Sequence, residues 1–186
     1  YSLRCVKRVH SSAAHSSPIA AVWQRIYAKE FTMFKRILIP IDGSELALRA
    51  ATTGISLAKE VGAEVVLLHA LAPYIAPYAA EVAMVDSKAQ AAFEKAISDG
   101  SDALLAQAKK VATDKGVTVQ TVHAVSSRPE LLIEKTAKEK GCDLVVLATH
   151  GRGAVGRFVM GSVTSRLLPI SSVPVLVYRD ASMVSE

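Results

Sequence analysis

The sequence has few cysteines and few aromatic residues, and it has no long apolar run. Its two cysteines, Cys5 and Cys142, stand far apart and form neither a C-x-x-C motif nor a Cys–His pair. A disulfide framework is therefore excluded, and we expect two free thiols, with Cys142 buried at the start of a strand. No apolar segment approaches the roughly 18–20 residues of a membrane span, so we expect a soluble protein without a membrane partner.

Several signatures of catalysis and cofactor binding are also missing. The sequence contains no G-x-x-x-x-G-K-[ST] loop, no G-x-S-x-G elbow and no H-E-x-x-H motif. A dinucleotide fingerprint would have to follow the first strand, where only Asp42-Gly43-Ser44 stands. No general base has an evident partner, so the residues predict no catalytic group and no metal-ligand cluster.

The formal net charge of +5 belongs mostly to the first 32 residues, which contribute +4 and leave +1 for residues 33–186. A nearly neutral folded part lacks the basic footprint of a nucleic-acid-binding protein. We therefore predict no nucleic-acid partner.

Residues 1–32 differ from the rest, because they are rich in Ser and Arg, poor in acids and without a sustained hydrophobic period. Three explanations stay open: an organellar transit peptide, a vector or fusion remnant, or translated sequence ahead of a native start at Met33. Lys29–Met33 can be encoded as a bacterial ribosome-binding site followed by ATG, so we favour Met33. We predict a non-native or disordered extension over 1–32, a folded domain over 33–180 and a C-terminal tail over 181–186.

From Met33 onward, patterns typical of strands alternate with patterns typical of helices. Short apolar runs predict five strands, Lys35–Ile41, Val65–Ala70, Val117–His123, Asp143–Ala148 and Val173–Tyr178. Helical spacing also predicts four helices. The first follows Ser44 and ends at Gly62, the second is Ser87–Lys115 with an interruption near Asp99-Gly100, the third starts at Pro129, and the fourth is Val159–Leu168. This alternation predicts an α/β fold with a doubly wound, mostly parallel sheet.

In such sheets a ligand binds beyond the carboxyl ends of the strands, where the strand order reverses. If the first and fourth strands are neighbours, the loops Pro40–Ser44 and Ala148–Gly161 meet there. Asp42 would then accept hydrogen bonds from a ribose hydroxyl or adenine edge, or it caps the following helix; the sequence leaves both roles open. The backbone at Ala70 could pair with the base, and His69 is predicted to be a core histidine without a catalytic role.

The stretch from Asp143 to Thr164 predicts a strand, a glycine-rich loop and a helix start. Glycines allow loop backbone to approach a phosphate, and the first amides of a helix lack intrahelical acceptors. Ser162 and Thr164 could add hydroxyl donors, and Arg152 or Arg157 could add charge. A glycine-rich connection that binds nothing is the alternative, and Ser162 directly after Gly161 favours phosphate.

These residues resemble the universal stress protein family, whose nucleotide-binding members carry G-2x-G-9x-G-[ST] after the fourth strand. Here Ala148 replaces the first glycine, and Gly151, nine residues and Gly161-Ser162 follow. The segments Pro40–Ser44 and Val173–Val177 also look like that family, and the resemblance covers about residues 34–179. Ser127 stands where a glycine commonly precedes the third helix.

The resemblance implies a flavodoxin-like or adenine-nucleotide α-hydrolase-like sheet of order 3-2-1-4-5. It implies ATP with Mg²⁺ or Mn²⁺ at the phosphates, a homodimer through the last strand, Val173 to Tyr178, and a cytoplasmic stress-related role without robust catalysis. By position it assigns the ATP contacts to Pro40, Asp42, Ala70, Ala148, Gly151, Gly161, Ser162 and Val163. The predicted site also includes neighbours of these residues, Ile41, Gly43, Ser44, Leu147, Thr149, His150, Arg152, Gly153 and Thr164.

Three hypotheses follow. The first is an ATP-binding stress protein without catalysis. The second is a dimeric interaction module that has lost its nucleotide, motivated by the methyl group of Ala148. The third is a weak ATP hydrolase that depends on Asp42.

Overall fold

The computed structural model describes residues 33–74, 87–149 and 160–180, with side chains described from residue 90 onward in the second range. The predicted extension 1–32 and the tail 181–186 lie outside these residues. Nine elements follow one another along the chain: β1 Arg36–Ile41, α1 Glu45–Val61, β2 Glu64–Leu71, α2 Ser87–Asp114, β3 Val119–Val125, α3 Pro129–Lys140, β4 Leu144–Ala148, α4 Ser162–Leu167 and β5 Val175–Tyr178.

The five strands form one parallel sheet in the order β3-β2-β1-β4-β5. β1 lies in the middle, where Ile37 is opposite both Val65 of β2 and Leu144 of β4. The chain therefore winds outward on one side of β1 and then crosses to the other side. This confirms the predicted α/β fold, and it confirms the strand order that the family resemblance implied.

Helices cover both faces of the sheet. α1 and α2 pack on the face that contains Ile39 and Leu67, and α3 and α4 pack on the face that contains Leu38 and Leu147. Successive residues of a strand face opposite sides, so strands buried on both faces appear as continuous apolar runs. β3 contains no fully buried residue, and its half-buried Val119, Val122 and Ala124 are separated by exposed residues.

The ends of α1 are those that the sequence predicted. Ser44 precedes the helix with an extended backbone, and its Oγ accepts a hydrogen bond from Ala47 N at 3.2 Å. Gly62 ends the helix in the left-handed conformation at φ +71°. Within the described ranges, no helix is long and apolar enough to cross a bilayer.

The predicted interruption of α2 near Asp99-Gly100 is wrong, because the helix runs from Ser87 to Asp114 without a break. A glycine inside a helix costs about 1 kcal/mol. Tertiary contacts around it offset this cost, since Ser101 is 1% exposed and Leu105 is 3% exposed. The Ser101 hydroxyl also lies 2.9 Å from Nδ1 of His69 on β2.

The third strand begins two residues later than predicted. Val117 belongs to the turn after α2, because its N–H donates to Ala112 O at 2.9 Å. Pairing with β2 starts at Val119, which is opposite Val65. The apolar side chain of Val117, 6% exposed, contributes to the core from the turn, so hydropathy alone could not separate it from the strand.

Cys142 lies just before β4 and is 6% exposed. Burial raises the pKa of its thiol to about 11. The thiol is therefore protonated and shielded at neutral pH, which confirms the predicted buried free thiol.

Gly54 lets α1 approach the sheet closely above the junction of β1 and β4. A Cβ added at Gly54 would lie 2.8 Å from Cδ1 of Ile39 and 3.2 Å from Cγ1 of Val146. Both neighbours are fully buried, so neither side chain can move away without displacing others.

Gly54→Ala should therefore lower the free energy of unfolding by about 1 kcal/mol, because overpacking costs about 1–3 kcal/mol and the gain in helix propensity returns only about 1 kcal/mol. Urea unfolding followed by circular dichroism measures this value. The matched control is Gly100→Ala in α2, where an added Cβ meets no heavy atom within 4 Å. The control should raise the free energy of unfolding by about 0.5–1 kcal/mol, and equal effects at both positions would contradict the close approach.

Candidate functional site

The loop after β1 is shaped by the side chain of Asp42. Its Oδ1 accepts hydrogen bonds from Ser44 N at 2.9 Å and from Ser44 Oγ at 2.7 Å. Gly43 between them has φ +79°, a conformation that favours glycine. Asp42 and Ser44 thereby fix the path from the end of β1 into the first turn of α1.

The structure thus gives Asp42 the capping role that the sequence left open beside ribose binding. The two roles are compatible, because a carboxylate has about four lone-pair sites. Asp42, Gly43 and Ser44 are all partly exposed, so polar groups of this loop reach the carboxyl edge of the sheet.

The start of α4 is anchored to the end of β4 by two hydrogen bonds. Gly161 N donates to Thr149 O at 2.7 Å, and the buried Thr164 Oγ1 donates to Ala148 O at 2.9 Å. Thr164 is 3% exposed. The structure therefore uses the one hydroxyl proton of Thr164 inside the protein, whereas the sequence suggested a donor for phosphate. Ser162 is exposed and keeps the position that such a donor would need.

Apolar contacts join the end of β4 to the start of α1. Ala148 at the end of β4 packs against Leu46 and Ala50 at the start of α1, and Tyr178 of β5 packs against this cluster. α1 begins directly after Asp42-Gly43-Ser44, so both loops open at the same edge, between neighbouring strands. The first and fourth strands are thus neighbours, as the prediction required, whereas residues 150–159 of the second loop lie outside the described residues.

Ala148 was expected to crowd a nucleotide with its methyl group. In the structure its side chain is 7% exposed and contacts α1. Little of the methyl group is therefore available to meet a ligand at the edge of the sheet. The structural reason for proposing a nucleotide-free protein is correspondingly weaker.

The side chains of other predicted site residues are buried or half-buried. Ile41 is 3% exposed and Leu147 is 4% exposed, and both side chains belong to the core. Val163 is half-buried against the cluster on the α3 and α4 face. Pro40 and Ala70 are half-buried.

The end of β2 completes the edge. Ile41 is opposite His69 in the sheet, so Ala70 lies one residue beyond the end of β1. His69 has the hydrogen-bonded contact to Ser101 described above, so its side chain is satisfied as predicted, but it is half-buried at the end of β2 rather than in the core. The predicted phosphate-loop residues His150, Gly151, Arg152 and Gly153, together with Arg157, lie outside the described residues.

Two buried carboxylates beside α4 were missed by the sequence reasoning. Glu130 is 2% exposed, with Oε1 at 3.1 Å from Nε of Arg128 and Oε2 at 3.6 Å from Nε of Arg166. Glu134, one turn later, accepts from Ser172 N at 3.1 Å and pairs with Lys138 at 2.8 Å. Glu130 sits directly after Pro129, the only sequence signal at this position, and that signal indicates a helix start rather than a tertiary ion pair.

Both carboxylates are charged at neutral pH. Burial by itself raises a carboxyl pKa, but the backbone N–H and the two arginines hold the pKa of Glu130 below its ordinary value. Lys138 and the backbone and hydroxyl of Ser172 do the same for the pKa of Glu134.

This geometry defines a class: α/β proteins with a doubly wound parallel sheet whose strand order reverses at β1, with a polar, glycine-containing loop at the carboxyl end of that strand. The model of the universal stress protein family matches residues 33–179 of the sequence. The chain belongs to the universal stress protein family.

Individual relatives agree with this assignment. Universal stress protein YxiE of Bacillus subtilis is 30% identical over 149 residues, which cover 79% of this chain and 100% of the relative. A universal stress protein of Methanocaldococcus jannaschii is 32% identical over 150 residues, which cover 79% of this chain and 83% of the relative. The solved structure of UspA from Lactobacillus plantarum matches with a TM-score of 0.65 at 25% identity, over 78% of this chain and 97% of that chain.

Two further solved structures of this fold contain nucleotides. A universal stress protein in complex with cAMP matches with a TM-score of 0.58 at 20% identity, over 78% of this chain and 97% of that chain. One from Archaeoglobus fulgidus in complex with dAMP matches with a TM-score of 0.53 at 18% identity, over 78% of this chain and 98% of that chain. At these identities the likeness shows the fold alone.

Thr164→Val should lower the free energy of unfolding by about 1–2 kcal/mol, because it removes the hydroxyl donor from a buried carbonyl while keeping the volume of the side chain. Chemical denaturation measures the change. The matched control is Thr53→Val on α1, where the hydroxyl also donates to a helix carbonyl, Arg49 O at 3.0 Å, but is exposed. The control should change stability by less than about 0.5 kcal/mol, and equal losses would show that the Thr164 bond does not anchor α4.

Proposed function

We propose that the chain is an ATP-binding universal stress protein that acts as a dimeric regulatory or binding module of the stress response, without robust catalysis. The observation that carries the proposal is that the carboxyl ends of β1 and β4 lie side by side at one edge of the sheet. The start of α1, which follows the Asp42–Ser44 loop, packs there against the end of β4 through Leu46 and Ala148. Ligands of doubly wound sheets bind at this position.

The described residues fit an adenine nucleotide in their chemistry. Asp42 offers carboxylate oxygen to ribose hydroxyls, the backbone at Ala70 offers peptide groups to the base, and Gly43 lets a ligand approach the chain closely. Ser162 offers its hydroxyl and its helix-start N–H to phosphate, and Gly161, whose own N–H donates to Thr149 O, lets the phosphate approach the chain closely. The complexes of other family-fold proteins with cAMP and dAMP support an adenine nucleotide as the ligand class.

Phosphate charge needs compensation that the described part of the edge does not supply. Arg49 lies nearby on α1, but it pairs with Glu45 and Asp180. We assign the positive charge to Arg152 and Arg157 of the glycine-rich loop, together with a Mg²⁺ or Mn²⁺ ion held by the phosphates. Such an ion would supply charge neutralisation, because it prefers phosphate oxygens and water over an all-protein cage.

The absence of robust catalysis is part of the proposal. The hydroxyl and carboxylate that lie closest together in this loop are those of Ser44 and Asp42, and both are used for capping α1. A carboxylate that accepts hydrogen bonds from the cap residue and from ribose is poorly placed to take up a proton from a reacting water molecule. We therefore assign ATP the role of a bound effector in the cytoplasm.

The dimer is assigned to the last strand, Val173 to Tyr178. β5 is an edge strand of four residues, and such edges offer unpaired backbone groups to another chain. Leu176 on β5 is 38% exposed, and Leu168 and Ile170 just before it are 41% and 40% exposed. A two-fold interface would cover these apolar side chains with their own counterparts.

Calorimetric titration tests the nucleotide assignment. Wild-type protein should bind ATP with micromolar affinity, and Asp42→Asn should weaken ATP binding roughly tenfold, because a charge-assisted hydrogen bond to the ribose becomes a neutral one. Asparagine can still accept the hydrogen bonds from Ser44, so the loop should keep its shape.

The matched control is Asp99→Asn, which makes the same charge change on the exposed face of α2, where Asp99 pairs with Lys95. Its ATP affinity should equal that of the wild type. A wild type that gives no heat with ATP and no rise in melting temperature would contradict the proposal and favour the nucleotide-free dimeric module. Steady ATP turnover abolished by Asp42→Ala would favour the hydrolase instead.

Light scattering after size-exclusion chromatography tests the dimer. Wild-type protein should elute with twice the chain mass of 19.8 kDa. Leu176→Lys should raise the dimer dissociation constant by roughly thirtyfold, as expected for about 2 kcal/mol at a buried apolar contact. The control Leu131→Lys changes a leucine that is 43% exposed on α3 and should leave the mass unchanged; a monomeric wild type would refute the assignment.

A further inference from the structure

Glu130 occupies an unusual position for a carboxylate. It is 2% exposed at the start of α3, and its charge faces Arg128 from the preceding turn and Arg166 from α4. Oε1 accepts a hydrogen bond from Arg128, whereas Oε2 is buried without a hydrogen bond. Oε2 instead forms an ion pair with Arg166, whose Nε lies 3.6 Å away.

α4 depends on such contacts for its placement. It has only six residues, and a helix of this length is not stable by itself. On one side Thr164 ties it to β4, and Leu167 fills the core with 0% exposure. On the side that faces α3, Arg166 of α4 forms an ion pair with Glu130.

We propose that Glu130 is a positioning residue, whose buried negative charge holds α4 through Arg166 and so places Gly161–Ser162 against the end of β4. The inference rests on the proposed nucleotide function, because Gly161 and Ser162 are assigned there to phosphate. Glu130 itself lies on α3 and has no contact with that assigned site.

The charge matters here more than the shape of the side chain. A buried carboxylate is costly unless cations face it, so α3 and α4 are held together most firmly when Arg166 stays close to Oε2. The lowered pKa of Glu130 agrees with an ionised side chain at neutral pH. Glu130→Gln keeps the volume and removes this attraction.

Glu134 provides a matched control on the same helix. It is 8% exposed and carries the same charge, but it contacts Lys138 and Ser172 N instead of α4. Glu134→Gln therefore removes an equally buried charge without touching the Glu130–Arg166 pair. Any general loss of stability from a buried glutamine should appear in both variants.

Hydrogen–deuterium exchange on nucleotide-free protein is the first test, and it needs no ligand. Glu130→Gln should speed exchange of the hydrogen-bonded Ser165–Leu168 amides roughly threefold to tenfold relative to wild type, with α1 amides unchanged. Glu134→Gln should leave the α4 amides at wild-type rates. Unchanged α4 rates in Glu130→Gln, or equal acceleration in α1 and α4, would overturn the inference.

The second test compares ATP with adenosine, since only ATP carries phosphates. Glu130→Gln should raise the Kd for ATP roughly threefold to tenfold and leave the Kd for adenosine unchanged. A purely structural effect, such as partial unfolding of the variant, would raise the Kd for ATP and the Kd for adenosine by the same factor. That result, or an unchanged Kd for ATP, would overturn the positioning role.

A double-mutant cycle identifies the partner. If Glu130 acts through Arg166, then Glu130→Gln combined with Arg166→Gln should raise the Kd for ATP no more than the larger single change does. Additive losses would overturn the assignment of Arg166. If wild-type protein binds neither ATP nor adenosine, the proposed function fails, and the exchange experiment still decides whether Glu130 holds α4.

Discussion

The pairing of β1 with β4 is the constraint on which the rest of the structure depends. Ile37 and Leu38 of β1 lie opposite Leu144 and Val145 of β4, although more than a hundred residues separate them in the chain. Because β2 occupies the other side of β1, this pairing makes the strand order reverse at β1. The reversal leaves the carboxyl ends of β1 and β4 side by side.

Most of the fold could be predicted from local sequence features, because hydrophobic periodicity and caps reflect short-range physics. The buried strands appear as β-branched apolar runs, and Ser44 and Gly62 mark the ends of α1. The continuity of α2 could not be predicted in this way, since Gly100 is tolerated only through the burial of Ser101 and Leu105 on the sheet. The start of β3 was mispredicted for a similar reason, because Val117 is an apolar residue that is buried although it lies in the turn before the strand.

The candidate site was predictable in position but less so in the roles of its side chains. Adjacent strand ends follow from the topology, which placed Asp42 and Ala148 at one edge. Thr164 donates to Ala148 O, and Glu130 pairs with Arg166, because packing brings distant segments of the chain together. Neither contact corresponds to a spacing motif in the sequence. A hydroxyl beside a glycine-rich loop looks the same in sequence whether it faces a phosphate or a carbonyl.

The central claim is that the loops after β1 and β4 face one nucleotide, and amide chemical shifts during an ATP titration test it most directly. The account predicts that Gly43 and Ser44 shift together with Gly161, Ser162 and Val163, and that all of them saturate at one dissociation constant. Shifts confined to one of these loops would contradict the account. So would shifts centred on Phe93 and Val125, which line a separate cavity of about 240 Å³ between α2 and the ends of β2 and β3.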